Sequence, residues 1–235
     1  MKATQQLHHL GQSLWLDNIT RGLLTSSTLG RSISELSVTG LTSNPTIFDQ
    51  AIGNAGFYDA AIRQKALAGK SGEALAIKYK VPDALRNRLG TAIAMRSYQA
   101  YCDLLAAPRW QKLAGAGARP QRLLWASTGT KDPDASDTLY VETLAPPDTI
   151  NTIPKKTLLA FADHGKVKGV LPPDGGDAEA LLAEFARAGV DNAELASELQ
   201  REGTRSFTQS WRDLMDRIVS KSAVLTQTRP QGAKP

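Results

Sequence analysis

Short apolar runs that end in polar groups alternate with stretches of helical period through much of this chain. Ser13-Leu-Trp-Leu-Asp17 is three large apolar residues closed by a carboxylate, the form of a buried parallel strand that delivers a polar group at its C-terminal end. Over residues 27–36, Leu29, Ile33 and Leu36 fall at helical spacing, with Ser26 or Ser27 available as N-cap. Val38-Thr-Gly-Leu-Thr42 reads as a second strand. Ser43-Asn44-Pro45 breaks it, and Pro45 suits the first position of a helix carrying Ile47, Phe48 and Ile52.

Residues 56–80 have helical propensity and show no strand pattern. A long helix is predicted from Pro82, with Leu85, Leu89, Ile93, Tyr98, Tyr101 and Leu105 near a helical period and Pro108 as its stop. A basic, glycine-rich loop over 112–119 leads to Arg122-Leu-Leu-Trp-Ala-Ser127, a third strand ending in polar groups. A loop over 128–136 follows, then a short amphipathic piece through Leu139, Val141 and Leu144, then a fourth strand over 149–153. Pro154 opens a helix bearing Leu158, Leu159 and Phe161. The remainder is predicted helical over 178–188, 193–202 and 207–224, the first of these set off by Gly175-Gly176 and Gly189. The polar, proline-containing tail 226–235 is expected to be disordered.

Four strands alternating with helices predict a parallel α/β sheet, and the pattern alone leaves a doubly wound sheet and a barrel as the alternatives. With 235 residues, 41% of them hydrophobic, there is apolar material for one core. No run of about 18 apolar residues occurs, and the N-terminus lacks the apolar centre of a secretory signal, so the cytoplasm is the expected compartment, with no membrane partner. The single cysteine, Cys102, has no partner for an internal disulfide; its helical setting reads as structural, because reactive thiols need cationic neighbours or a helix N-terminus.

The net charge of +5 does not make a nucleic-acid groove. Basic residues are scattered among acids, the densest groups being Lys155-Lys156 and Lys78-Tyr-Lys80. A basic mouth for small phosphates explains the sign. His8, His9 and His164 are the only histidines, and adjacent His8 and His9 do not form an i, i+4 ligand pair, so no metal is expected. His164 is expected to sit at a helix C-terminus. Ser127-Thr-Gly-Thr-Lys131 lacks the glycine spacing and ending of a Walker motif, and no Gly-x-Ser-x-Gly elbow is present.

Leu14-Trp-Leu-Asp-Asn18, Gly40-Leu-Thr-Ser-Asn-Pro-Thr-Ile-Phe48 and Gln121-Arg-Leu-Leu-Trp-Ala-Ser-Thr-Gly-Thr-Lys-Asp-Pro133 together resemble the transaldolase family, in its long bacterial subfamily. Ser136-Asp-Thr-Leu-Tyr-Val141 and Asn151-Thr-Ile-Pro154 extend the likeness, which runs over about residues 13–59 and 84–218. Asp132 and Ala135 depart from the asparagine and tyrosine usual in that loop. The resemblance implies a (β/α)8 TIM barrel with its active groups at the C-terminal ends of the strands. Asp17, Asn44, Ser127 and Asn151 stand at or near such ends in the strand reading.

In family order the four strands correspond to the first, second, seventh and eighth, and strands three to six have no counterpart. The expected architecture is therefore a partial TIM barrel of about four parallel strands with C-terminal helices, in a single truncated domain over 1–225 with an internal join near 70–84. Strand eight neighbours strand one in a closed barrel, so the strands are expected side by side in the order seven, eight, one, two. Self-association through the exposed edges of the half barrel is expected.

The resemblance also implies chemistry: transfer of a dihydroxyacetone unit between ketose and aldose phosphates of the pentose phosphate pathway, through a Schiff base and without cofactor. It assigns Asp17 to proton transfer, Asn44 to substrate binding, and Ser127 and Lys131 to the phosphate, helped by the N–H groups around Gly129. The family's Schiff-base lysine lies on its fourth strand, and no Ile-Lys-Ile-Pro-like segment occurs in this chain. Lys155 and Lys156 fall in the first turn of a helix, where exposure is expected. The alternatives are a non-catalytic sugar-phosphate binder or an inactive internal-deletion product.

Overall fold

Strand β1 (Ser13–Asp17) pairs on both sides, with β2 (Val38–Thr42) and with β4 (Ile150–Ile153), and β4 pairs in turn with β3 (Leu124–Trp125). All three pairings are parallel and the sheet order is β2-β1-β4-β3. This is the order seven, eight, one, two of a barrel, read from the other edge. The computed structural model describes residues 1–20, 23, 26–53 and 81–227. The helical expectation over 56–80, most of the join at 70–84 and the end of the tail, 228–235, lie outside the described residues.

Burial alternates along β1 because the period of a strand is two: Leu14 and Leu16 are closed off from solvent, whereas Ser13, Trp15 and Asp17 are half-buried. Helix α1 (Ala3–His9) and helix α7 (Lys155–His164) pack against each other and against β1. They bring Leu7, Leu158 and Phe161 into the core. On the other face Gly40 of β2 is opposite Trp15, and a Cβ there would lie 2.6 Å from the indole Nε1. Only glycine lets the Trp15 ring lie across β2.

Helices α2 (Thr28–Leu36) and α3 (Pro45–Gly53) form where the pattern predicts them. Ser27 makes no side-chain capping bond; the Ser26 hydroxyl instead accepts the Thr28 N–H at 3.3 Å. The helix expected from Pro82 begins later. Pro82 opens only a 3-10 turn (Asp83–Leu85), Arg86 is extended, and Asn87 adopts φ +61°, so helix α4 runs Leu89–Ala106. Asn87 is held in that left-handed conformation by its amide, which donates to Asp132 Oδ2 at 2.7 Å.

Pro108 ends α4 as expected and, without a pause, starts α5 (Pro108–Gly115), which claims part of the predicted 112–119 loop. Ala107 is extended, as the residue before proline prefers, and Pro108 stands at N1, where its missing N–H costs nothing. Strand β3 is only two residues long against the predicted 122–127. Ser127 turns the chain at φ +58°, and at the other end the Arg122 guanidinium is drawn to the Ser13 hydroxyl at 2.6 Å.

Helix α6 (Leu139–Thr143) corresponds to the short amphipathic piece, and α8 (Ala178–Arg187) to the stretch between the glycines. The two C-terminal helices expected at 193–202 and 207–224 are one continuous helix, α9 (Asn192–Gln227). An isolated Gly203 costs about 1 kcal/mol relative to alanine, too little to break a helix of this length.

The described residues form two compact units: 1–18, 26–42 and 81–192 in one, and 19–20, 23, 43–53 and 193–227 in the other. In the first, Tyr98, Trp125, Leu144 and Leu171 make a cluster against which Cys102 packs, consistent with a structural cysteine. Burial there pushes the Tyr98 hydroxyl up to about 12. In the second, α3 is bound to α9 by the two-pronged pair of Asp49 with Arg217 and by the Thr46 hydroxyl donating to Ser210 at 2.9 Å. Among the described residues no helix is long and apolar enough to cross a membrane.

Candidate functional site

Because all four strands are parallel, their C-terminal ends lie along one edge of the sheet, where a βα architecture keeps its polar groups. Asp17 is the last residue of β1 and pairs in register with Thr42, the last of β2. The Thr42 hydroxyl donates to Asp17 Oδ1 at 2.9 Å and fixes the carboxylate at the strand end. Thr42 was not singled out by sequence reasoning; its signal is its place at the end of the neighbouring strand.

The loop after β3 holds Ser127 and Lys131, both exposed, flanking the buried Thr128 and Gly129. Gly129 lies against the start of α7: a Cβ there would be 3.2 Å from Pro154 Cγ and 3.4 Å from Thr157 Oγ1. A side chain at 129 would lift the loop off the helix. The loop thus passes the first turn of a ten-residue helix at Gly129, with the exposed Ser127 and Lys131 on either side of that contact in sequence, residue types suited to an anion.

Asn44 lies in the second unit, and its Oδ1 accepts the Ile47 N–H at 3.0 Å while its carbonyl accepts the Phe48 N–H. It caps α3, so its side-chain oxygen is engaged locally. Asp17, Ser127 and Lys131 thus share one end of one sheet, and Asn44 belongs to another body of the chain. Asn151 is not at a strand end. It lies in the body of β4 opposite Leu14 and Trp125, fully buried, with the Thr128 hydroxyl 2.9 Å from its Oδ1.

Lys155 and Lys156 are exposed in the first turn of α7, as the pattern predicted. His164 ends that helix, as expected, and also meets two carboxylates: Asp137 Oδ1 lies 2.9 Å from Nε2 and Asp163 Oδ2 3.2 Å from Nδ1. Asp137 first, then Asp163, raises its pKa above the usual histidine range. His8 and His9 sit exposed on α1, their ring centroids 6.3 Å apart. Among the described residues no group of His, Cys, Asp or Glu is placed to hold a metal ion.

Asp132, noted in the sequence only as a departure from the family loop, and Glu142, not noted at all, each tie separate segments of the chain together. Asp132 accepts from Asn87 and from the Asp134 N–H and faces Arg86, and these contacts, the Asn87 amide foremost, keep its carboxyl below the usual range. Glu142, 7% exposed, accepts the Thr138 hydroxyl at 2.8 Å and the Lys166 N–H at 3.2 Å, and pairs with Lys168 at 2.6 Å. Burial pushes its pKa up, but Lys168, Thr138 and the Lys166 N–H together outweigh burial and leave it lowered.

A carboxyl with a lowered folded pKa stabilises the fold above its unfolded value, about 4.3, and that contribution is lost as pH falls through the folded value. Glu142→Gln is expected to cost about 1–3 kcal/mol near neutral pH, because it removes the ion pair and leaves a buried amide poorly matched to donors. The same variant should flatten the loss of stability below about pH 4, measured by urea unfolding across the acid range. An acid limb as steep as the parent's would show that Glu142 is not the group responsible.

A family model described as transaldolase/fructose-6-phosphate aldolase matches this chain in two pieces, over residues 14–86 and 73–218. The transaldolase of Parafrankia sp. (strain EAN1pec) is 50% identical over 137 residues, 58% of this chain and 37% of that protein. That of Thermobifida fusca (strain YX) is 44% identical over 144 residues, 61% of this chain and 39% of that protein. That of Neisseria meningitidis serogroup A is 40% identical over 144 residues, 61% of this chain and 41% of that protein. The matched part of the chain therefore spans about two fifths of the length of these relatives.

Proposed function

This chain belongs to the transaldolase/fructose-6-phosphate aldolase family, and from that premise we propose that it binds sugar phosphates without forming a Schiff base. The observation that carries the reading is the loop over 127–131. It offers an exposed hydroxyl, N–H groups and an exposed ammonium at the C-terminal edge of the sheet, beside the first turn of α7. Asp17, set by Thr42 on the same edge, is available to a sugar hydroxyl. Asn44 is assigned to substrate by the family resemblance alone.

The reading without imine chemistry is supported by what such chemistry needs. A lysine becomes a nucleophile near neutral pH when it is desolvated, and it must face the ketose carbonyl. Among the described residues no strand carries a lysine, and no lysine is buried. The family segment that bears the Schiff-base lysine has no counterpart in the motifs of this chain. In this reading the chain derives from dihydroxyacetone-transferring enzymes of the pentose phosphate pathway, acts in the cytoplasm without cofactor, and keeps the phosphate grip while lacking the amine. The test is fructose 6-phosphate: it should raise the melting temperature of the protein, whereas borohydride added to the mixture should leave no covalent adduct.

The domain reading is a single truncated domain over 1–225 in which the family's first two and last two strands are joined directly. Such a sheet ends in two edges, β2 and β3, with Leu124 of β3 41% exposed. Unpaired edge strands invite pairing with another chain. The protein is expected to run as a dimer or larger species by light scattering at micromolar concentration; a monodisperse monomer would refute edge-mediated association.

A further inference from the structure

We propose that Thr128 and Asn151 are positioning residues for the anion loop: a buried side-chain pair that locks the 127–131 turn and so presents Ser127 and Lys131. This rests on the sugar-phosphate reading for its consequence, but the pair itself is a feature of the ligand-free fold.

Ser127 is a non-glycine residue at φ +58°, a backbone conformation that L side chains rarely adopt and that needs neighbours to hold it. The next residue supplies the hold. Thr128 is 1% exposed, and its hydroxyl lies 2.9 Å from Asn151 Oδ1 and 3.1 Å from the Thr152 carbonyl oxygen. Thr152 in turn donates its hydroxyl to the Trp125 carbonyl at 3.1 Å. The start of the loop is thereby tied side chain by side chain to β4, while Gly129 rests on Pro154 and Thr157 at the head of α7.

Counting protons identifies which group is indispensable. A threonine hydroxyl has one proton, so it cannot donate fully to both Asn151 Oδ1 and the Thr152 carbonyl, and Asn151 Nδ2 is left as a buried donor with no partner. Turning the Asn151 amide over exchanges its oxygen and nitrogen at the same position. Nδ2 then donates one of its two N–H groups to Thr128, whose own hydroxyl donates to the Thr152 carbonyl, so the amide engages a donor that the other orientation leaves wholly unpaired. Asn151 thus acts as a donor relay, which aspartate, having the same shape but no N–H, cannot replace when ionised.

The full-length chain is compared with Thr128→Val, Thr128→Ser, Asn151→Ala and Asn151→Asp by two readouts. The first is amide hydrogen exchange in the ligand-free protein. Exchange at residues 129–131 should quicken by about tenfold or more, a change of order 1.4 kcal/mol in local opening, in every variant except Thr128→Ser. The rest of the sheet should keep its protection. The second is affinity for inorganic phosphate, which should fall about tenfold in the same three variants, with no further loss in the Thr128→Val, Asn151→Ala double variant.

Unchanged loop exchange with a lowered melting temperature would reduce the pair to ordinary core structure and overturn the proposal, as would wild-type behaviour of Asn151→Asp. If Thr128→Val does not fold, Thr128→Ala is read against Thr128→Ser. If the wild-type protein binds neither phosphate nor fructose 6-phosphate, the functional reading fails while the exchange data still decide whether the pair positions the loop.

Discussion

Lys131→Ala is expected to remove about half or more of the stabilisation that fructose 6-phosphate gives to this protein, while leaving the ligand-free melting temperature unchanged. Lys131 is exposed, so its removal opens no cavity and breaks no buried contact, and surface changes of that kind stay within about 0.5 kcal/mol. Its worth lies in the bound state. A hydrogen bond to a charged group contributes about 1.5–3 kcal/mol, which is about tenfold to a hundredfold or more in affinity. At a ligand concentration of about 100 Kd for the parent, binding stabilises by about 2.7 kcal/mol. A tenfold weaker variant would retain about 1.4 kcal/mol and a hundredfold weaker one about 0.4 kcal/mol.

Two controls separate the readings. Fructose without the phosphate should stabilise neither protein, since the donors around Ser127 and Gly129 answer an anion. Equal stabilisation of parent and variant by fructose 6-phosphate would remove the loop from the binding site. A covalent sugar adduct after reduction would mean that an amine of this chain does reach a ketose carbonyl, and the non-catalytic reading would fall even if the phosphate grip stood.

The sheet was legible because its strands carry their own evidence. Ser13-Leu-Trp-Leu-Asp17 and Val38-Thr-Gly-Leu-Thr42 match the observed strands residue for residue, since three large apolar groups in the first and two in the second, set among polar residues, leave little choice of register. Family order then predicted which strands would be neighbours, and the sheet agrees. Where pattern failed, a particular side chain took over. Asn87 fixed a left-handed turn through Asp132 and delayed α4, and Ser127 at positive φ cut β3 to two residues.

The interval 203–206 left between two predicted helices is part of one continuous helix, because propagation within a long helix absorbs a single glycine. Asp17, Ser127 and Lys131 were singled out by the family resemblance, and Asp17 and Ser127 also by their position at or near strand ends. Thr42, Glu142 and Asn151 carry roles that depend on who faces them across the sheet or the loop, and linear spacing contains no record of a partner 20 or more residues away.

Phe161→Ala is expected to be the most damaging single truncation in the larger unit. Phe161 is fully buried, on the α7 helix that packs on both α1 and β1, and it is among the largest side chains in the core with no exposure. Replacing a buried phenylalanine by alanine costs about 3–5 kcal/mol, the sum of lost transfer energy and the cavity left behind. A domain of ordinary stability has only about 5–15 kcal/mol to lose. With a urea slope of about 2 kcal/mol/M, the midpoint should move down by about 1.5–2.5 M.

The same helix supports Gly129 at its first turn, so loosening α7 should reach the anion loop as well. Phe161→Leu, which keeps most of the apolar volume, should recover the larger part of the midpoint and of phosphate affinity together. A drop below about 1 kcal/mol for Phe161→Ala would mean that α7 is not fastened to β1 through this side chain. The half barrel would then have to be held by its strand pairing alone, which a four-stranded sheet with two open edges is poorly built to do.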